Sequence, residues 1–149
     1  MDIKIEVFSS NSANYLRTAL NVRFDIYTDE LDIDKFREFD GLDKESTHYL
    51  LFIDMMPAGV CRWRKEENHI LIDRFGIKKE YRGNGYAILL LKYVVNEIIQ
   101  SRKDIQILTT KDSVSFLNLL GFKKVVKELE VSDKKLKILV LDKKKIKNG

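Results

Sequence analysis

Near the start of the chain Ile3, Ile5 and Val7 alternate with Asp2, Lys4 and Glu6, a period of two that predicts a strand with one face on a core. From residue 12 to about 27 the period changes. Tyr15, Leu16, Ala19, Leu20, Phe24 and Tyr27 recur three and four apart, which predicts one stripe of a helix. The acidic stretch 29–43 interleaves its carboxylates with Leu31, Ile33, Phe36 and Phe39, so a short helix and loop laid over the core is expected there rather than a disordered linker. Residues 48–53 and 60–64 read as a hairpin turning through Met55, Met56, Pro57, Ala58 and Gly59, and residues 69–77 as the strand that completes a meander. Ala87, Leu90, Leu91, Val94, Val95 and Ile98 then mark a helix over 86–100, with no Pro and no interior Gly. A buried strand at 105–108, a short helix at 113–120 closed by Gly121, and alternating strands at 123–130 and 135–141 finish the order.

The sum is an α/β pattern without repeats, low-complexity segments or internal linkers, and one domain over 1–149 is expected. Composition agrees: 44% hydrophobic and 34% charged residues suit an ordinary soluble globular chain. At 149 residues such a chain buries roughly 68–70% of its unfolded surface, enough for a core without disulfides or a structural metal. Cys61 is alone and has only His48 and His69 for company, so no Cys/His zinc spacing exists and no metal is expected. Its plain use is as small core filler. No charged leader with an apolar centre opens the chain and no long apolar run follows, which points to a cytoplasmic protein with no membrane partner. The net charge of +4 is supplied by Lys143, Lys144, Lys145 and Lys147. It belongs to a lysine-rich tail at 143–149, a solvated end rather than a nucleic-acid surface.

The chemistry concentrates at 70–87, where a strand runs through a basic, glycine-containing loop into the longest helix. Gly83 and Gly85 permit backbone angles closed to other residues, so successive N–H groups can turn toward one phosphate while the helix dipole adds positive potential. Lys78, Lys79 and Arg82 stand beside it. A plain strand-to-helix turn needs the same glycines, and both uses remain open at this point. Neither Gly-x-Gly-x-x-Gly nor the Walker loop is present.

What is present, Arg82-Gly83-Asn84-Gly85-Tyr86-Ala87, resembles the acetyl-coenzyme A signature of the GNAT superfamily, Gln/Arg-x-x-Gly-x-Gly/Ala, in the superfamily's element order across nearly the whole chain. Val22-Arg23, Glu30, Asp40, Asp43, His48 and Gly59-Val60-Cys61-Arg62-Trp63-Arg64 further resemble the small bacterial ElaA-like or YjcF-like branch. The resemblance implies a GNAT fold, with a mixed, mostly antiparallel sheet splayed between strands 4 and 5. It implies that the backbone of Phe75, Gly76 and Ile77 pairs with the pantetheine arm like an added strand, and that the amides of Arg82, Gly83, Asn84, Gly85, Tyr86 and Ala87 hold the pyrophosphate. The implied activity is acetyl transfer from acetyl-coenzyme A to a primary amine of a small molecule, directly in a ternary complex. The alternative is a catalytically weak module that binds a coenzyme A species.

Two departures bear on that choice. Leu117 stands where many superfamily members carry a Tyr acid, and Asp133-Lys134-Lys135-Leu136 replaces the branch's Gly-Ile-x-His stretch. Replacement candidates are Asp73, as base through a water, and His48, whose ordinary pKa suits proton transfer at neutral pH. For both, a structural use competes: an ion pair of Asp73 with Arg74 or Arg62, and a hydrogen-bonded place for His48. Tyr81 and Tyr86 are expected to pack. Alternation puts Arg62 and Arg64 on one strand face, where with Arg23 they could hold an anionic acceptor or pair with the acidic stretch. An amino-sugar phosphate, a polyamine and a protein amine all remain as acceptors, and the chain as a monomer or homodimer.

Overall fold

The computed structural model describes residues 1–30, 40–131 and 133–144. Their elements are β1 (Ile3–Phe8), α1 (Ala13–Arg23), β2 (Thr47–Ile53), β3 (Met56–Lys65), β4 (His69–Ile77), α2 (Tyr86–Ile98), β5 (Asp104–Thr110), α3 (Val114–Leu119), β6 (Phe122–Val131) and β7 (Lys134–Leu141). The strands form one sheet in the order β1-β2-β3-β4-β5-β7-β6, parallel between β4 and β5 and antiparallel elsewhere. Of the acidic stretch, residues 31–39 lie outside the described residues, as do residues 145–149 of the tail. Lys143 is docked rather than solvated, its Nζ donating to the carbonyls of Ser101 (2.5 Å) and Lys103 (2.7 Å). Among the described residues, no helix is long and apolar enough to cross a membrane.

Strand alternation divides the core in two. Phe8, Leu50 and Val60 face α1 and its extension, meeting Ala19, Val22 and Ile26. Tyr49, Leu51, Cys61, Ile70 and Ile72 face the other way, against Leu90, Leu91, Val94, Val95 and Ile98 of α2. Each fully buried aliphatic side chain stabilises this sandwich by about 1.5–3 kcal/mol.

Two sequence expectations are corrected. The helix expected over 12–27 stops being α-helical at Arg23 and continues as a π-helical turn, Phe24–Glu30. The wider turn re-aims the stripe. Phe24, expected in it, is 46% exposed, while Ile26, outside it, is buried. The hairpin turns at Asp54 and Met55, not at Pro57 and Gly59. Both have positive φ (48° and 68°), the paired left-handed conformation that a two-residue connection needs to match strand twist. Asp54 holds the turn by exchanging backbone and side-chain hydrogen bonds with Asp2 (2.7 and 2.8 Å). Pro57 and Gly59 are therefore strand residues, with Ala58 bulged between the pairs Leu51–Gly59 and Phe52–Pro57.

The splay expected between strands 4 and 5 is present. β4 pairs with β5 only through His69–Ile72. Immediately beyond, Arg74 and Phe75 together oppose one residue of β3, between the pairs Arg62–Asp73 and Val60–Gly76. Arg74 takes φ +48°, costly for a residue with a Cβ, and the bulge turns the rest of β4 away from β5. β5 meanwhile follows β7 through Thr110. Among the described residues, the diverging strands leave one edge of Asp73 to Ile77 without a strand partner. β3 supports this stretch through Gly59, where a Cβ would sit 2.6 Å from Ile77 Cδ1 and 3.1 Å from the Gly76 carbonyl oxygen. We expect Gly59→Ala to destabilise the protein by about 1–3 kcal/mol through this overpacking, read as a lowered urea midpoint at unchanged slope.

Candidate active site

β4 runs through Lys78 and a tight turn, Lys79–Tyr81, into Arg82, Gly83, Asn84 and Gly85, and then into α2. Gly83 and Gly85 have φ of +85° and +81°. Among the described residues, nothing beyond the adjoining chain lies within 4 Å of where a Cβ would stand on either. Their requirement for glycine is thus conformational, and the space in front of the loop is open. Gly85 is the N-cap of α2 and has no side chain, so among the described residues no side-chain cap engages the first-turn amides. Asn84 Nδ2 donates to the carbonyls of Tyr81 and Arg82 (3.4 and 3.3 Å) and braces the loop. Open amides, left-handed glycines and a positive helix end are a donor set that fits a phosphate.

The loop borders a cleft of about 240 Å³ lined by Ile77, Tyr81, Arg82, Gly83, Gly85, Tyr86, Ala87, Ile88 and Phe116. Six of the nine residues expected at the coenzyme are among them. Phe75 and Gly76 lie just upstream on the open part of β4, and Asn84 serves as the brace. Phe116 and Ile88 were not anticipated, and Tyr81 was expected only to pack beside the loop. Phe116 reaches the cleft from α3, a tertiary approach that no local pattern encodes.

The other candidates converge elsewhere, in one buried ionic network on the α1 side of the sheet. Arg62, fully buried, makes five hydrogen bonds: Nε and Nη2 to Asp73 (2.8 and 2.7 Å), Nη1 and Nη2 to Asp40 (3.1 and 2.7 Å), and Nη1 to Asp43 (3.0 Å). A guanidinium has five N–H donors, so none remains for a ligand. Arg64 binds Asp73 (2.8 Å) and Glu66 (2.6 Å), and Arg23 binds Asp43 (2.8 Å). Arg74 reaches Asp40 at 3.2 Å. Of the two uses open to the arginines in the sequence, the structure has the internal one, and Arg62 has no capacity for an anionic acceptor.

Asp73 is held in the same way. Burial would raise its carboxyl, but the hydrogen bonds and charge of Arg62, with Arg74 and Arg64 behind, hold it below the usual carboxylate range. A carboxylate so stabilised is a poor base. His48 stacks on Phe8, with ring centroids 5.4 Å apart, and its Nε2 donates to the Asp43 carbonyl at 3.0 Å. Burial lowers its pKa, and the bond to Asp43 offsets only part of that. Asp73 and His48 therefore have structural places, on the face away from α2 and its loop. Cys61 is core filler, its thiol pushed up by burial. On the α2 face Trp63 Nε1 donates to the Tyr49 hydroxyl (2.8 Å), which donates to Glu97 (2.6 Å). Burial and Glu97 together raise the Tyr49 hydroxyl.

The network makes stability depend on pH with a definite sign. Asp40, Asp43 and Asp73 are all held below their ordinary 3.8, so their contribution is full above that value and lost as pH falls below it. His48, held below 6.5, acts in the same direction but from a higher pH. Urea unfolding is expected to show stability declining from about pH 6.5 downward and steepening below about pH 4, with His48→Gln abolishing the upper part alone. Arg62→Met, which leaves Asp73 short of its main partner, is expected to cost about 3–5 kcal/mol at neutral pH.

The acetyltransferase (GNAT) domain family matches residues 25–139. An uncharacterized N-acetyltransferase of Bacillus subtilis (strain 168), YjcF, is 27% identical over 77 residues, covering 52% of this chain and 55% of that protein. The match thus spans about half the length of that relative. An acyl-CoA N-acyltransferase from Pseudomonas aeruginosa shares the fold with a TM-score of 0.83 at 15% identity, over 94% of this chain and 99% of that one. Escherichia coli ElaA does so with a TM-score of 0.82 at 16% identity, over 93% and 99%. The match over most of the length, the shared mixed sheet and the amide cradle at the head of α2 agree: this chain belongs to the GNAT family of acetyltransferases.

Proposed function

We propose that the chain is an acetyl-coenzyme A dependent N-acetyltransferase that moves the acetyl group to a primary amine of a small molecule, directly in a ternary complex. The observation that carries this reading is that the amide cradle at Gly83–Gly85 and the unpartnered edge of β4 adjoin each other. In this reading the amides of Arg82, Gly83, Asn84, Gly85, Tyr86 and Ala87 hold the pyrophosphate, and the backbone of Phe75, Gly76 and Ile77 aligns the pantetheine arm as an added strand. The coenzyme supplies an activated acyl group. The chain supplies alignment, exclusion of water by Ile77, Ile88 and Phe116, and a fixed approach for the amine. The likeness to the Pseudomonas aeruginosa acyl-CoA N-acyltransferase supports an acyl-coenzyme A donor. With every donor of Arg62 taken, an amino-sugar phosphate would have to be held by other groups.

A second reading, a module that binds a coenzyme A species without turning it over, is favoured by one observation. Leu117 is completely buried where the superfamily's acid would fall, while Asp73 and His48 are engaged in the network. Release of free thiol from acetyl-coenzyme A across a panel of amines, measured beside calorimetric binding of the coenzyme, separates the two. Turnover with any amine supports the transferase, and binding without turnover supports the module. Gly85→Val is expected to weaken coenzyme A binding by about 10- to 100-fold, the loss of one or more charge-assisted bonds. The same change should cost roughly 1–2 kcal/mol of stability through its left-handed backbone. Unchanged affinity would remove the phosphate role from this loop.

A further inference from the structure

The open edge of β4 carries two backbone acceptors that already have donors. Lys78 N–H donates to the Ala58 carbonyl at 2.8 Å, which fixes the phase of the strand. By alternation the backbone groups of Gly76 also point toward β3, and the carbonyls of Phe75 and Ile77 point away from it, along the edge that has no strand partner among the described residues. The Tyr27 hydroxyl donates to the Phe75 carbonyl at 2.6 Å, and Arg82 Nε donates to the Ile77 carbonyl at 2.9 Å. Arg82 belongs to the phosphate loop. Tyr27 does not: it comes from the π-helical turn after α1, on the opposite face of the sheet from the cleft. Gly76 admits this approach, since a Cβ there would stand 3.1 Å from Ile26 Cδ1 and 3.8 Å from the Tyr27 hydroxyl.

We propose that Tyr27 is a positioning residue for the coenzyme arm, its hydroxyl occupying at the Phe75 carbonyl the place that an amide N–H of the arm takes on binding. The inference rests on the reading that a pantetheine arm pairs with β4. An arm docking there exchanges one hydrogen bond for another at Phe75, so the contact that orders this strand also weakens the ligand. Phenylalanine at 27 keeps the ring but leaves a part-buried carbonyl without this donor, a cost that the arm relieves when it binds. The hydroxyl thus sets coenzyme affinity from the π-helical turn after α1, outside the residues that line the cleft.

The sign of this effect is unusual and makes it testable. Calorimetry of the wild-type chain and Tyr27→Phe is run with coenzyme A and with adenosine bisphosphate, which carries the nucleotide end without the arm. Coenzyme A is expected to bind Tyr27→Phe about 2- to 12-fold more tightly, with adenosine bisphosphate unchanged and the KM for acetyl-coenzyme A falling in parallel. Equal or weaker binding of coenzyme A overturns the proposal, and so does equal tightening of both probes, because the effect would then lie at the loop. Tyr27→Leu, also without a hydroxyl, carries the same expectation should Tyr27→Phe unfold. A wild-type chain that binds no coenzyme A at all overturns the functional reading itself, an outcome distinct from failure of the Tyr27 comparison.

Discussion

The fork between Arg62 and Asp73 is the constraint on which the rest of the molecule depends. Two parallel hydrogen bonds of 2.8 and 2.7 Å join neighbouring strands inside the protein, where both groups are almost wholly withdrawn from water. Removing two charges from water costs several kcal/mol per ion, so such a pair is retained less for net stability than for what it positions. Here it positions three things. It sets the register of β3 against β4 at the last pair before the bulge. It gathers Asp40 and Asp43, and so anchors the chain that leads into β2. Through Asp43 it also reaches Arg23 at the end of α1 and His48 on β2.

The bulge inherits its place from this pair. A strand pinned at Asp73 and resumed at Gly76 accommodates its extra residue between them, and Arg74 adopts the left-handed angle that the insertion demands. The added twist separates β4 from β5, so the open edge on one side of the sheet is a consequence of the ionic packing on the other. Gly59 and Gly76 then let β3 and the π-helical turn approach a strand that has lost one neighbour. Charge burial, bulge and cleft form one mechanical sequence.

Much of this architecture was legible in the residues because period and punctuation are local. The alternation of Ile3, Ile5 and Val7, the unbroken stripe from Ala87 to Ile98 and the glycines around Asn84 each located an element that the structure contains. What stayed hidden was set by tertiary competition. A π-helical turn differs from an α-turn only in which side chains it aims inward, and Ile26 displaces Phe24 because the sheet selects it. Asp54 suits a turn but Met55 does not, and the tight hairpin forms there because a backbone and a side-chain bond between Asp54 and Asp2 hold it. The arginines carried a readable sign: Val60, Arg62 and Arg64 share one strand face, so an apolar face running into guanidiniums called for anions to meet it, either a ligand's or the chain's own. Which carboxylates, and that they would exhaust Arg62, depended on Asp40 and Asp43 arriving from far along the chain.

The same accounting bears on how such a site performs acyl transfer. Asp73, His48, Cys61 and Tyr49 are each buried, Asp73 and His48 with their pKa held down and Cys61 and Tyr49 with theirs pushed up by burial. Their environments serve packing and charge satisfaction. Under the proposed reading, rate enhancement must then come chiefly from holding amine and thioester together, and well-oriented reactants gain as much as about 7–11 kcal/mol in that way. This places the burden on backbone geometry: on amides at the head of α2 that are fixed before a ligand arrives, and on a β4 edge whose angles the bulge and the Arg62 fork have already set. A thioester is an activated donor, and a catalyst that needs alignment more than proton transfer can dispense with the Tyr whose place Leu117 fills in the core.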